Sequence, residues 1–220
     1  MVKTEKKKLT DFEKWFRFMH RAKHFLFTPF FPFKTHKPDK PYEDRPYIII
    51  GNHLSALDVV FAAMATKKPV HFMAKKELFE KGLMKKFVTK CECIPVYRDG
   101  NDMNGVLKAM KYLKNGESIV IFPEGKRNKT NEKLLPFKSG ATALAIKTKT
   151  PIIPFVQVKK IRFLKMAHAL YGEPIEFTEY YGKKLTEEDI KACDEILREK
   201  LLELYDRLSD MLSKKKKRQK

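Results

Sequence analysis

The chain has 220 residues, 43% of them hydrophobic and 12% aromatic. That excludes a disordered chain and suffices for one α/β domain with a core. Its formal net charge of +20 calls for a polyanionic partner, whether nucleic acid, an anionic membrane surface or a phosphorylated substrate. Three cysteines build no disulfide framework, and no run of 18 apolar residues is present to span a bilayer.

The basic charge gathers at both ends. Residues 1–45 hold 12 Lys/Arg against 6 Asp/Glu, and the tail 214–220 holds six Lys/Arg and no acid. Much of this is the ordinary solvated surface of a lysine-rich protein. Residues 1–10 are basic but lack the apolar stretch and small-residue cleavage site of a secretory leader. From Phe12 to Phe27, Phe12, Trp15, Phe16, Met19, Ala22 and Leu26 share one face of a predicted helix, with Lys14, Arg17 and Arg21 opposite. The following Phe27-Thr28-Pro29-Phe30-Phe31-Pro32-Phe33 breaks the helix at proline but stays aromatic. Two readings stand for this face: insertion at a membrane interface, or packing on the body's own core. Residues 34–46, rich in Lys, Pro and Asp, read as a linker.

The body then alternates strand and helix. Strands are predicted at 47–51, 70–74, 94–97, 118–122, 152–158 and 168–177, the last interrupted by Gly172 and Pro174. Helices are predicted at 57–66, 84–90, 102–114 and 138–148, the third stopped by Asn115-Gly116. Cys91 and Cys93 read as buried thiols, since no further ligand lies nearby in sequence to complete a metal site. A final helix opens at Thr186-Glu187-Glu188-Asp189 like a capping box. Its stripe Ile190, Cys193, Leu197, Leu201, Leu204, Leu208 and Met211 is expected to pack on the domain rather than form a coiled coil. The fold class is therefore α/β: a single domain with a mainly parallel or mixed sheet flanked by helices, plus an N-terminal amphipathic membrane-binding segment. The expected division is a basic N-terminal segment and linker at 1–45, a catalytic domain at 46–213 and a basic tail at 214–220.

Two motifs carry chemistry. In Asn52-His53-Leu54-Ser55-Ala56-Leu57-Asp58 a histidine follows the strand 47–51, and an aspartate sits five residues later on the first turn of a helix. The carboxylate can fold back on the imidazole and hold its tautomer, which is the arrangement of a general base. Ser55 lacks the Gly-x-Ser-x-Gly elbow of a hydrolase nucleophile and is read as a helix N-cap. Asn52 can orient the turn or His53. About seventy residues on, Phe122-Pro123-Glu124-Gly125-Lys126-Arg127 follows another strand. There Glu124 can orient an acceptor or stiffen the loop, Gly125 lets backbone approach a ligand, and Arg127 offers a planar fork for phosphate. Lys75 and Arg98 also follow strands, and the three basic groups together suit a substrate phosphate. Active groups in such sheets gather beyond the carboxyl ends of strands, so His53 and Glu124 are expected to share a cleft.

These blocks, in this order, resemble the 1-acyl-sn-glycerol-3-phosphate acyltransferase family. Ile94-Pro95-Val96-Tyr97-Arg98 resembles its second block and Thr150-Pro151-Ile152-Ile153-Pro154-Phe155 its fourth. Lys75 and Lys138-Ser139-Gly140 also match, whereas Lys126 and Asn128 stand where the family usually has Thr and Ser. The resemblance covers about residues 45–160. It implies transfer of a fatty acyl group from acyl-CoA or acyl-carrier protein to the sn-2 hydroxyl of lysophosphatidate, giving phosphatidate. His53 and Asp58 would be catalytic, and Lys75, Arg98, Glu124, Gly125 and Arg127 would bind substrate, with no metal and no cofactor beyond the donor. It further implies a peripheral enzyme at an anionic membrane surface, on the cytoplasmic face of the cell membrane. Another lysophospholipid acceptor is the alternative within this class. A nucleic-acid-binding protein is the distant one, motivated by charge alone and lacking a binding motif, so no nucleic acid is expected.

Overall fold

The computed structural model describes residues 10–22, 27–66, 68–80, 82–97, 103–138 and 140–217. Helix α1 (Asp11–Ala22) starts with a reciprocal cap: the Glu13 amide donates to Thr10 Oγ1 at 3.1 Å, and the Thr10 amide to Glu13 Oε2 at 2.7 Å. Strand β1 (Phe33–His36) follows, then β2 (Ile48–Gly51) and the short α2 (Asp58–Ala63). Next come β3 (Val70–Lys75), a 3-10 turn at Lys76–Phe79, α3 (Gly82–Lys90), β4 (Ile94–Val96), α4 (Met103–Lys114) and β5 (Ser118–Ile121). The chain closes with α5 (Ala141–Thr148), β6 (Ile152–Gln157), β7 (Ala167–Tyr171) and α6 (Glu187–Lys217).

The seven strands lie in the order β1-β7-β6-β2-β5-β3-β4. β6, β2, β5, β3 and β4 are mutually parallel; β7 runs against β6, and β1 runs parallel to β7. The sheet is thus mixed, within the expected class. A parallel strand at the centre is covered on both faces, which is why Ile48, Ile49 and Ile50 read as one apolar run and all are buried. Ile48 and Ile50 face a core shared with α4, α5 and α6, where Ala109, Leu113, Leu144, Leu197 and Leu201 pack. Ile49 faces the other core, with Phe61 of α2, Phe155 and Tyr171 of the sheet, and Phe12 and Phe16 of α1. Gly51 is required where β2 ends: a Cβ there would lie 2.3 Å from the Phe155 ring.

The stripe of α6 packs on the domain from Cys193 to Leu208, with Cys193, Leu197, Leu201, Leu204 and Leu208 all buried, whereas Ile190 is half-buried and Met211 at its end is exposed. Its cap is reciprocal between Thr186 and Asp189. Cys91 and Cys93 are buried and free.

Three expectations are corrected. Residues 34–46 are not all linker, because Phe33–His36 forms an edge strand in register with Ala167–Leu170. Four residues alternating with Lys and Thr on a half-exposed edge carry too little hydrophobic signal to be seen. Accordingly, the expected boundary at 45/46 cuts through the fold, since β1 belongs to the sheet and Phe12 and Phe16 belong to the core. The last strand stops at Tyr171, and only an isolated bridge between Ile152 and Ile175 continues it. No described helix is long and apolar enough to cross a membrane.

Candidate active site

β2 delivers Asn52 and His53 to the carboxyl edge of the sheet, and the turn 54–57 brings α2 back across it. Asp58, the first residue of α2, is fully buried and turns its carboxylate onto this turn. Its Oδ2 accepts from the amides of Leu54 (2.6 Å) and Ser55 (2.7 Å) and meets His53 Nδ1 at 2.9 Å. Its Oδ1 accepts from Ser55 Oγ at 2.8 Å. An ionised carboxylate accepts all four, which compensates its burial. With Nδ1–H donated to Asp58, the neutral imidazole presents Nε2 as an acceptor. The His53 side chain keeps 21% of its surface open.

Ser55 is not the helix cap that the sequence suggested. The cap position is Leu57, with no side-chain bond, and the Ser55 hydroxyl instead braces Asp58 while accepting from the Leu57 amide at 3.2 Å. The Asp58 amide donates to Ser55 O at 3.3 Å and the Val60 amide to Leu57 O at 3.0 Å, so these two amides do not use the serine side chain.

The second motif follows β5, the parallel neighbour of β2. Glu124 is buried, and its oxygens accept from the His53 amide (2.8 Å) and the Leu135 amide (3.0 Å). Burial pushes its pKa up, and the two amide donors pull the other way. Of the two roles open to Glu124 in sequence, loop stiffening is the one these bonds perform. Gly125 has φ +64, a left-handed conformation that favours glycine, and the Lys138 side chain lies over it. The Lys138 amide donates to Pro123 O at 2.8 Å and closes the loop.

Several supporting residues were not singled out for these roles in sequence. Phe122 stacks on the His53 ring, with centroids 4.3 Å apart and planes 18° apart. The Asn128 amide donates to His53 O at 2.6 Å, and its own side chain is held by Thr130 and Glu132. Asn52 clamps the ends of β2 and β6 together: Nδ2 donates to Gln157 O (2.8 Å), and Oδ1 accepts from the Gln157 amide (2.9 Å). The position of Phe122 beside Pro123-Glu124 was the available signal for the first. The Asn52–Gln157 clamp spans 105 residues of chain and leaves none.

Of the expected phosphate ligands, Arg127 is exposed, one residue before Asn128 and so beside the histidine turn. Lys75 ends β3, two strands from β2, with Nζ 3.5 Å from Glu77. Arg98 lies outside the described residues. The structure therefore brings His53, Asp58, Glu124 and Gly125 together, with Arg127 adjacent and Lys75 further along the same edge.

A second cluster, His71, Glu92 and Glu117, sets possible ligand atoms within 4.8 Å of one another. His71 Nε2 meets Glu117 Oε2 at 2.8 Å and Nδ1 meets Glu92 O at 3.2 Å, while Phe12 and Tyr112 pack against the ring. Both nitrogens are occupied, as in a satisfied core histidine.

Residues 32–158 match the family model described as Acyltransferase. The chain is 26% identical over 184 residues to a 1-acyl-sn-glycerol-3-phosphate acyltransferase of Bacillus subtilis, covering 81% of this chain and 90% of that one. It is 29% identical over 165 residues to a protein of the same name from Streptococcus pneumoniae, covering 71% of this chain but only 60% of that one. A Helicobacter pylori protein of that name is 34% identical over 119 residues, 52% of this chain and 49% of that one. The fold is similar to the crystal structure of the 1-acyl-sn-glycerophosphate (LPA) acyltransferase PlsC from Thermotoga maritima. The TM-score is 0.62 at 23% identity, over 87% of this chain and 78% of the other.

Proposed function

The chain belongs to the acyltransferase family, whose model spans its first six strands, and from that premise we propose that it acylates the sn-2 hydroxyl of 1-acyl-sn-glycerol 3-phosphate to give phosphatidate. The donor is acyl-CoA or acyl-carrier protein, both thioesters. The observation that carries this reading is the His53–Asp58 pair, with Nδ1 engaged by the carboxylate and the His53 side chain partly open to solvent. Relatives named for this reaction supply the substrate class.

Nε2 takes the proton of the acceptor hydroxyl as its oxygen attacks the thioester carbonyl. The tetrahedral intermediate collapses, the C–S bond breaks, and the imidazolium returns the proton to the leaving thiolate. Asp58 holds the ring and stabilises the imidazolium that forms between these steps. No acyl-enzyme is needed, because the histidine activates the acceptor directly. Glu124 acts on the other side of His53 by fixing its backbone. Gly125 keeps the loop low, and Arg127, Lys75 and Arg98 bind the acceptor phosphate. The enzyme works as a peripheral protein at the cytoplasmic face of the membrane, where such a lipid resides.

The test is thiol release from acyl-CoA on adding lysophosphatidate to the purified protein, compared with lysophosphatidylcholine and monoacylglycerol. Release with lysophosphatidate and little with the others supports the reading. Equal release with all three removes the phosphate from recognition and favours another acceptor.

A further inference from the structure

Much of the aromatic face that the sequence offers for membrane insertion is spent on the core. Phe12 and Phe16 are buried, and Trp15, Phe27, Phe31 and Phe33 pack on the core. Among the described aromatics of 12–33, Phe18 and Phe30 stay exposed. A different feature occupies the exposed position at the carboxyl edge. β6 leaves that edge beside His53, and its connection to β7 makes a tight hairpin there. The Lys165 amide donates to Arg162 O at 3.2 Å, so Phe163 and Leu164 form the two-residue tip. They are 58% and 64% exposed, and Met166 beside them is 55% exposed.

The hairpin is anchored. Ile161 and Ala167, below the tip, are buried. The Leu164 amide donates to Phe30 O at 2.6 Å, and the Phe30 and Phe163 rings stack 6.1 Å apart. Leu164 holds φ +53, a left-handed conformation that favours Gly or Asn over a bulky aliphatic side chain. Leucine at this turn is a poor choice for the backbone and a good one for an apolar environment.

The charge around the tip is of one sign. Lys159, Lys160, Arg162 and Lys165 are all exposed, none forms an ion pair with a described residue, and no acidic residue falls between 158 and 166. Lys34 of neighbouring β1 adds another exposed cation. Apolar groups at the tip with cations behind them suit the boundary between acyl chains and anionic headgroups. On the opposite flank of His53, Leu78, Leu83 and Met84 are also exposed where β3 leads into α3. Four strand spacings separate β7 from β3, so the two apolar flanks lie roughly 20 Å apart with His53 between them.

We propose that the β6–β7 hairpin, with Phe163 and Leu164 at its tip and Phe30 beside it, docks the catalytic edge onto an anionic lipid bilayer. The inference rests on the proposed function only for the lipid nature of the acceptor. Docking itself is a separate property and is measured separately.

The experiment is co-flotation of the full chain with vesicles of phosphatidylcholine alone or with added phosphatidylglycerol. The double variant Phe163→Ser/Leu164→Ser is expected to bind phosphatidylglycerol-containing vesicles at least tenfold more weakly. Lys159→Gln/Lys160→Gln/Arg162→Gln/Lys165→Gln is expected to lose the preference for these over neutral vesicles. Leu164→Asn separates docking from folding, since Asn suits the left-handed turn: its thermal midpoint should hold or rise while vesicle binding falls. Binding as tight as wild type in the double variant would overturn the proposal. So would a wild-type dimer that the double variant dissolves while vesicle binding stays intact, which would make the hairpin an interface between copies. If wild type and variants separate on vesicles but thiol release shows no acceptor dependence, the docking stands and the proposed reaction falls.

Discussion

At the residue scale, the dyad depends on one buried carboxylate with four donors around it. His53→Ala is expected to lower kcat by about a hundredfold to ten-thousandfold with the melting curve little changed, as general-base loss does. Asp58→Asn should be equally severe and should also destabilise the chain. An amide there turns its NH2 to the Ser55 hydroxyl, which then accepts, and offers the Leu54, Ser55 and His53 donors a neutral oxygen, so the charge-assisted bonds weaken. Circular dichroism beside steady-state rates separates the two effects. Transfer by His53→Ala within tenfold of wild type would end the assignment. Arg127 is exposed and forms no ion pair with a described residue, so Arg127→Ala is expected to leave stability alone and raise the acceptor KM more than the donor KM. A lost charge-assisted contact to phosphate corresponds to about 1.5–3 kcal/mol. An equal rise in both KM values would assign Arg127 elsewhere.

At the element scale, β2 holds the site because its neighbours on both sides hold it. Gly51→Ala drives a Cβ to 2.3 Å from the Phe155 ring at the residue where the strand hands over to Asn52 and His53. A ring stacked on Tyr171 and set edge-on to Phe122 has little room to yield. The expected cost is about 1–3 kcal/mol in denaturant melts, accompanied by loss of activity through the shifted histidine turn. The β1–β7 edge carries a pH dependence. His36 Nε2 and His168 Nδ1 lie 3.2 Å apart, and one must donate while the other accepts. Burial foremost lowers both pKa values, followed by Lys34 and Lys215 at His36 and by His36, Lys215 and Lys34 at His168. Above about pH 6.5 both states are neutral and the pair's contribution is fully present. As pH falls, the unfolded chain takes up protons first, so stability drops until the pH passes the depressed folded values. Denaturant melts at pH 7 and pH 5 should therefore show a smaller loss for His36→Gln/His168→Gln than for wild type. An identical loss in both would remove the pair as the cause.

At the scale of the whole molecule, a net charge of +20 and a set of exposed apolar groups around one edge act together. Salt screens the first and leaves the second. Vesicle binding at roughly 1 M salt, where the Debye length is about 3 Å, is expected to weaken without vanishing. Complete loss would mean that charge alone holds the protein there. Removing residues 1–33 is not a clean way to test the membrane contact. It strips Phe12 and Phe16 from the core and takes the first residue of β1, so it is expected to lower the melting temperature as well.

The α/β class, the existence and order of six strands and the His53–Asp58 and Glu124–Gly125 blocks were legible in sequence. Each rests on local information: an apolar run, a cap, a glycine at a turn, or a five-residue spacing that a single turn can close. The stripe of α6 was legible for the same reason, since Cys193 to Leu208 repeats at helical period and all of it meets one core. What only the tertiary structure decided depends on which strands are neighbours. The pairing of β2 with β5 sets the Glu124 carboxylate on the His53 amide, the loop-stiffening one of the two roles open to it in sequence. The pairing of β2 with β6 made Asn52 a clamp on Gln157. The pairing of β1 with β7 pulled a stretch read as linker into the sheet. An aromatic stripe has the same period whether it faces lipid or a core. The sequence therefore left both readings of α1 open, and packing buried Phe12 and Phe16 while leaving Phe163 and Leu164 outside. Hydrophobic residues bury wherever neighbouring surface is available, and that availability is set by contacts a hundred residues apart.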